Sequence, residues 1–258
     1  MLPVALTIAG SDPSGGAGIQ ADLKTFCRFG VYGEAVITLL TVQNTRRVSR
    51  VEIMPPDLVL EQLRSVIEDI PPAAAKTGAL GNQAMVDMLA EVAGGFQFPL
   101  VIDPVMISKH GAPLMDERAQ TALQAKLLRH AMLVTPNLPE AAALTGLTVE
   151  DVEGMRRAAR KLHESAGCHV LVKGGHLRGD SIDVLYSGGE FHEFASPRIE
   201  TRHTHGTGCT YSAAIAALLA KGLGLVDAVG QAKLFVTAAI RTNPGLGAGN
   251  GPVNHFAS

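Results

Sequence analysis

The residues best suited to chemistry stand near the C-terminal end, where Gly206, Thr207, Gly208 and Cys209 precede an alanine-rich stretch of helical pattern. Small residues at a helix start let the backbone approach a ligand closely. The first free N–H groups then point at it, with the positive end of the helix dipole behind them. This is a hole for an anion, and it suits the charge that spreads over a phosphoryl group in transfer. The same residues also fit an ordinary loop-to-helix turn whose glycines only relieve crowding. Cys209 falls in the first turn, where a thiol is expected to be acidified and able to act as base or nucleophile. The plainer expectation for it is a small, buried packing residue.

Other candidates are spread along the chain. Gly15-Gly16-Ala17-Gly18 is a second glycine-rich loop before a helix, but it has neither the GK[ST] ending of a P-loop nor a clean GxGxxG. Asp22, between Ile19 and Phe26 on the helix that follows, falls on or near the apolar face. It is expected to cap a neighbouring loop, to lie at the surface, or to face a ligand. Asp103 ends an apolar run, and a carboxylate there needs a partner or a cation. Asn137 and Glu140 have capping-box spacing, and they can also offer oxygens near Mg2+ and phosphates. The nine histidines form no HExxH or comparable metal pattern, so a zinc site is not expected. No Gly-x-Ser-x-Gly occurs, which disfavours a serine hydrolase.

These residues must be positioned by elements that alternate from end to end. Apolar runs predict strands over 4–9, 35–42, 48–53, 73–76, 100–103, 132–135 and 169–173. Helical spacing predicts helices from Ile19 to a stop at Gly30, and over 56–70, 84–93, 117–129, 140–145, 152–166, 210–221 and 226–241. Residues 182–186 and 190–194 read as a hairpin about Ser187-Gly188-Gly189. Alternating strands and helices imply an α/β fold, with a central, mostly parallel sheet covered by helices on both faces. In such sheets ligands sit at the carboxyl ends of the strands. The loops there carry Ser11-Asp12, Gln43-Asn44, Asp103, Asn137 with Glu140, and Lys173-Gly174-Gly175-His176, which should meet at one edge.

Composition narrows the partners. The 258 residues are 47% apolar, enough for one sizeable core, and one domain over 1–258 is expected. Basic and acidic residues nearly balance, at 22 against 24, and tryptophan is absent, so a nucleic-acid surface is not expected. No apolar run is long enough for a membrane helix, and the N-terminus reads as a buried strand rather than a signal peptide. Three cysteines without a CxxC pair point to a reducing cytoplasm rather than a disulfide framework.

Several stretches together carry a resemblance: residues 9–24, Val36-Ile37-Thr38, Gln43-Asn44, Asp103-Pro104-Val105-Met106, residues 135–141, Lys173-Gly174-Gly175-His176, His205-Gly206-Thr207-Gly208-Cys209-Thr210 and Gly251-Pro252-Val253. In that order they span nearly the whole chain. The sequence resembles the hydroxymethylpyrimidine/phosphomethylpyrimidine kinases of thiamine biosynthesis, within the ribokinase-like superfamily. The resemblance implies a ribokinase-like domain, often a homodimer, that uses ATP and Mg2+. It implies phosphorylation of 4-amino-5-hydroxymethyl-2-methylpyrimidine and then of its monophosphate.

The roles it implies attach to residues of this chain. Gly206, Thr207, Gly208 and Cys209 match the anion hole, with Cys209 beside the attacking hydroxyl as its base or as a positioning group. Gln43 matches a pyrimidine contact, and Gly10, Asp22 and Val105 match other parts of that pocket. Asp103 and Glu140 match the Mg2+ and phosphate region, while Asn137 and Lys173 match nucleotide-side positions. One departure stands out: many family members have Lys-x-Gly-Met-Leu where this chain has Lys76-Thr77-Gly78-Ala79-Leu80, so Ala79 is expected to widen the pocket. The rival reading is a pyridoxal kinase of the same fold, against which Gln43 argues. A non-catalytic pyrimidine sensor is a further alternative, opposed by the phosphate-handling residues. The loop over 108–113 has the character of a mobile flap.

Overall fold

The computed structural model describes residues 2–109, 111–177 and 179–258. The chain begins with β1 (Val4–Ser11), α1 (Gly18–Arg28), β2 (Tyr32–Gln43), β3 (Val48–Ile53) and α2 (Pro56–Asp69). Next come β4 (Ala74–Thr77), α3 (Gln83–Ala93), β5 (Leu100–Ile102), α4 (Glu117–Ala122), β6 (Leu133–Val134), α5 (Leu138–Thr145) and α6 (Val152–Ala166). The last elements are β7 (His169–Val172), β8 (Ser181–Ser187), β9 (Glu190–Ser196), α7 (Thr207–Ala220) and α8 (Leu225–Arg241).

The strands form one sheet in the order β3-β2-β1-β4-β5-β6-β7-β8-β9. From β2 through β7 neighbours are parallel, while β3 and the β8–β9 hairpin add antiparallel edges. The central strands are short and apolar because both faces are covered. On one face Ile8, Ile102, Val134 and Val172 pack beneath α2 to α6. On the other, Ala5, Val101, Leu133 and Leu171 pack beneath α1, α7 and α8. Helix α7 is buried from Thr210 to Leu219, and its alanines let it lie close to the sheet and to both neighbouring helices.

Three departures from the sequence expectations concern element ends. Strand β2 is longer than expected, starting at Tyr32, because it pairs with β1 along its first half and with β3 along its second. The helix expected over 117–129 is α4 followed by a wide turn over Leu123–Leu127 and a tight one over Leu128–His130. The wide turn shifts the helical phase, so Leu127 and Leu128, adjacent in sequence, both face the core. Helix α7 starts at Thr207 rather than Thr210, so the glycine box itself is the first turn.

The parallel arrangement brings the carboxyl ends of β1, β2, β4, β5, β6 and β7 to one edge. Asp12, Gln43, Asp103, Asn137, Glu140, Lys173 and His176 gather there as expected, joined by Gly10 and Gly78. No helix among the described residues is long and apolar enough to cross a membrane.

Candidate active site

A cavity of about 600 Å³ opens at this edge. Its walls hold Gly10, Gln43, Val105, Asp103, Asn137, Glu140, Lys173, Gly206, Thr207, Gly208 and Cys209, every sequence-derived candidate except Asp22.

One end is built for negative charge. Lys173 Nζ donates to Asp103 Oδ1 at 2.7 Å, Thr135 Oγ1 donates to the same oxygen at 3.2 Å, and Ser212 reaches Oδ2 at 3.4 Å. Asp103 is 2% exposed, so its charge is held by Lys173 rather than by water. Burial works against the ammonium, but the charges of Asp103 and Glu140 hold Lys173 above the usual lysine range. Asn137 and Glu140 form the expected capping box: Glu140 N donates to Asn137 Oδ1 and Asn137 N donates to Glu140 Oε2. Burial raises Glu140 to about 7, with Asp103 adding to the effect and Lys173 opposing it.

The start of α7 closes this end. Gly206 has φ +80°, and a Cβ there would stand 1.7 Å from Gly16 O, so only glycine fits. A Cβ on Gly208 would meet Lys173 Nζ at 3.4 Å and Asp103 Oδ2 at 3.6 Å, so Gly208 faces the ion pair directly. The first backbone bond of the helix runs from Thr210 N to Gly206 O, leaving the amides of Gly208 and Cys209 without a helical acceptor.

Cys209 and Asp22 differ from expectation. The helix start does not acidify Cys209. Burial pushes its thiol up to about 11, Asp22 and Asp103 add to this, and Lys76 and the Gly18 amide only partly oppose it. Asp22 is neither a cap, nor a surface group, nor part of the cavity wall. It is fully buried, accepting from Thr7 Oγ1 at 2.6 Å and from Lys76 Nζ at 3.0 Å. Helix α1 packs this face on the sheet, so an acid there needs a buried cation, which β4 supplies. The pair lies under the cavity floor, since a Cβ on Gly78 would be 3.3 Å from Lys76 Nζ.

The cavity also has apolar wall residues, Leu39, Ala79, Val105 and Met106, and the amide of Gln43. A Cβ on Gly10 would overlap Leu39 Cδ1 at 2.5 Å, so Gly10 brings β1 flush against this wall. The Gln43 amide nitrogen lies 3.2 Å from His205 Nε2, which donates to Asp12 Oδ2 at 2.7 Å. Asp12 also accepts from Ser14 N, Ser14 Oγ and Ala17 N. Burial works against its charge, but the His205 and Ser14 bonds outweigh this and hold the carboxyl below the usual range. This knot ties the glycine loop after β1 to the box before α7.

The C-terminal segment tightens the knot. His205 N donates to Gly251 O, Val253 N donates to His205 O, Asn250 N donates to Thr45 O, and Arg28 Nε donates to Ala257 O.

Sequence reasoning brought Asp12 and His176 to this edge without giving them a role, and it missed Lys76 and the part played by His205. Asp12 and His205 lay inside the quoted stretches, but a pairing across 193 residues leaves no local signal. On either side of residue 110 the chain pairs with itself, Ser108 N bonding to Ala112 O and Leu114 N to Met106 O. Ile107, Ser108 and Lys109 reach the cavity. His110, part of the expected flap, lies outside the described residues.

The family model of phosphomethylpyrimidine kinase matches residues 12–254. The chain belongs to this family. It is 51% identical over 253 residues to the thiamine biosynthesis bifunctional protein ThiED of Geobacter sulfurreducens, covering 97% of this chain and 52% of that protein. It spans about half of that relative's length. It is 47% identical to the hydroxymethylpyrimidine/phosphomethylpyrimidine kinase of Streptomyces coelicolor, covering 98% of this chain and 94% of that one. In three dimensions it superposes on a Bacillus subtilis pyridoxal kinase in complex with ADP with a TM-score of 0.92 and 39% identity, over 100% of this chain and 98% of that one. The kinase therefore has the ribokinase-like fold that its sequence resemblance implied, and the cavity is its candidate phosphotransfer site.

Proposed function

We propose that this kinase transfers the terminal phosphoryl group of ATP to the hydroxymethyl group of 4-amino-5-hydroxymethyl-2-methylpyrimidine, and then phosphorylates the monophosphate to the pyrophosphate used in thiamine biosynthesis. One observation carries the reading. A single cavity joins an amide-reading end at Gln43 to a phosphate-handling end at Lys173, Asp103 and the first turn of α7.

In this reading Gln43 meets the ring, since an amide can both donate and accept. Val105, Ala79 and Leu39 enclose the ring. Lys173 acts as a compact positive charge on the nucleotide phosphates. The Gly208 and Cys209 amides receive the charge that grows on the transferred group. Cys209 lies in this turn as a neutral thiol, given a value of about 11, and holds the attacking hydroxyl by hydrogen bonding rather than as a preformed thiolate. Phosphoryl transfer through a loose transition state tolerates this, because the nucleophile is not strongly activated beforehand.

The donor set also fits Mg2+. Asp103 and Glu140 offer hard oxygens in one cavity, and Glu140, raised to about 7, lacks full countercharge. When bound, the ion neutralises phosphate charge. A homodimer in the cytoplasm belongs to the same proposal. The half-exposed Leu40 and Val42 on the projecting end of β2 and the three free cysteines support it.

A second reading, phosphorylation of pyridoxal, is favoured by Ala79, whose small side chain leaves that wall open. ATP consumption with Mg2+, measured in parallel on the hydroxymethylpyrimidine, its monophosphate and pyridoxal, separates the two. Turnover on both pyrimidines with slower pyridoxal supports the proposal. Preference for pyridoxal, or no reaction with the monophosphate, overturns it.

A further inference from the structure

The loop that follows β7 brings Lys173 and His176 to the cavity wall. On its inner side Gly174 N donates to Asp183 Oδ1 at 2.8 Å. A Cβ on Gly174 would stand 1.7 Å from Ile182 O, so the loop lies flat against β8. Asp183 is itself held by Lys233 of α8, which donates to its Oδ2 at 2.8 Å and to both oxygens of Ser181 at 3.1 Å.

On the outer side Arg198 gathers three backbone carbonyls of this loop. Arg198, two residues beyond β9, donates from Nε to Gly179 O at 2.7 Å, from Nη1 to Gly175 O at 3.2 Å, and from Nη2 to Leu177 O. These are alternate carbonyls, all turned outward to one rigid fork. Among the described residues no carboxylate pairs with Arg198. A guanidinium presents fixed, planar donors, which a flexible ammonium cannot reproduce. With the carbonyls of Gly175 and Leu177 drawn outward, His176 between them is left facing the cavity. Burial and the positive charges of Lys109, Lys173 and Arg198 together hold His176 below the usual imidazole range, which places Arg198 close behind it.

We propose that Arg198 is a positioning residue for the nucleotide. It sets the loop that carries Lys173 and His176, and so tunes ATP binding without touching either substrate. The proposal rests on the reading of Lys173 as a nucleotide-side residue.

The test is Arg198→Met, with Arg198→Lys as the charge-keeping variant. Binding of the non-hydrolysable analogue AMP-PCP is measured by calorimetry, and the KM for ATP, the KM for the pyrimidine and kcat are measured separately, beside the melting temperature. For Arg198→Met, analogue binding and the KM for ATP should each worsen by about tenfold or more, as displaced positioning groups do. The KM for the pyrimidine, and kcat at saturation, should stay within about twofold. Arg198→Lys should recover only part of the loss, because it keeps the charge but not the fork. Unchanged nucleotide binding overturns the proposal. So does a parallel rise of both KM values with a fall in melting temperature, which marks a merely structural role. If Arg198→Met does not fold, Arg198→Lys alone decides by the same split between the two KM values. A wild type that binds AMP-PCP but phosphorylates no pyrimidine defeats the proposed function, while the role of Arg198 is still read from the binding.

Discussion

Asp12→Asn tests how the two glycine loops are held together. The wild-type carboxylate accepts four hydrogen bonds, from Ser14 N and Oγ on one oxygen and from Ala17 N and His205 Nε2 on the other. An asparagine offers one oxygen and turns a donor toward the second pair. Asp12 and His205 are only 3% exposed, so water cannot take over the lost bonds. Breaking a buried charge-assisted cluster of this kind costs about 3–5 kcal/mol. For a chain of this length each kcal/mol moves the melting temperature by about 2 °C, so a fall of roughly 6–10 °C is expected at neutral pH. The sign with pH follows from the lowered carboxyl of Asp12. Its stabilisation is present above the ordinary value of 3.8 and is lost as the pH falls through the lower folded value. The gap between wild type and variant should therefore be full above about pH 4 and narrow as the pH falls below it. The variant should also lose kcat/KM for the pyrimidine, because Gln43 lies against the displaced imidazole. Thermal melting over a pH series is the assay. A variant that melts with the wild type at neutral pH, or whose gap persists in acid, refutes the reasoning.

Other expectations are briefer. Cys209 is a thiol until about pH 11, so iodoacetamide at neutral pH should label the exposed Cys27 first. Labelling of Cys209 should then rise about tenfold per pH unit, and rapid labelling at neutral pH would contradict its raised value. Glu140→Gln removes a carboxylate raised from 4.5 to about 7. The wild type is penalised increasingly as the pH rises from the unfolded toward the folded value, so the variant should gain on it over that window, by at most roughly 3 kcal/mol, while losing kinase activity. Chemical denaturation at a series of pH values reads the first effect, and a variant less stable at high pH than at low, relative to wild type, would contradict it. Ala79→Met narrows the ring end of the cavity. It should raise the KM for pyridoxal, which carries one more ring substituent, more than that for the hydroxymethylpyrimidine, and the ratio of the two KM values is the measurement.

Much of this fold is legible because its signals are local. Strand β3 and helix α6 have the bounds their patterns predict, since alternation fixes one and an Asp151 cap with a Gly167 stop fixes the other. The capping box at Asn137 and Glu140 is equally local. Ends set by packing were harder: the glycine box reads as the approach to α7, but the low helix propensity of glycine hides that Thr207 and Gly208 already belong to its first turn. The chemistry of Cys209 was legible in position but not in sign. Burial beside two acids depends on α1 and β5, both far away in sequence. Asp22 shows the same limit, since its partner Lys76 comes from a strand 54 residues later.

The strap of residues 250–257 has a consequence for how the enzyme comes into being. It follows the rest of this fold along the chain, yet it bonds to His205, which ties both glycine loops, and to Thr45 and Arg28. A nascent chain can form much of its sheet while still being synthesised, as domains begin to do. It cannot finish the cavity, because the knot at His205 has no outer strand to lean on. Completion of the site thus waits for this strap, and a chain cut before residue 250 is left with a nearly complete scaffold but a loosely held site.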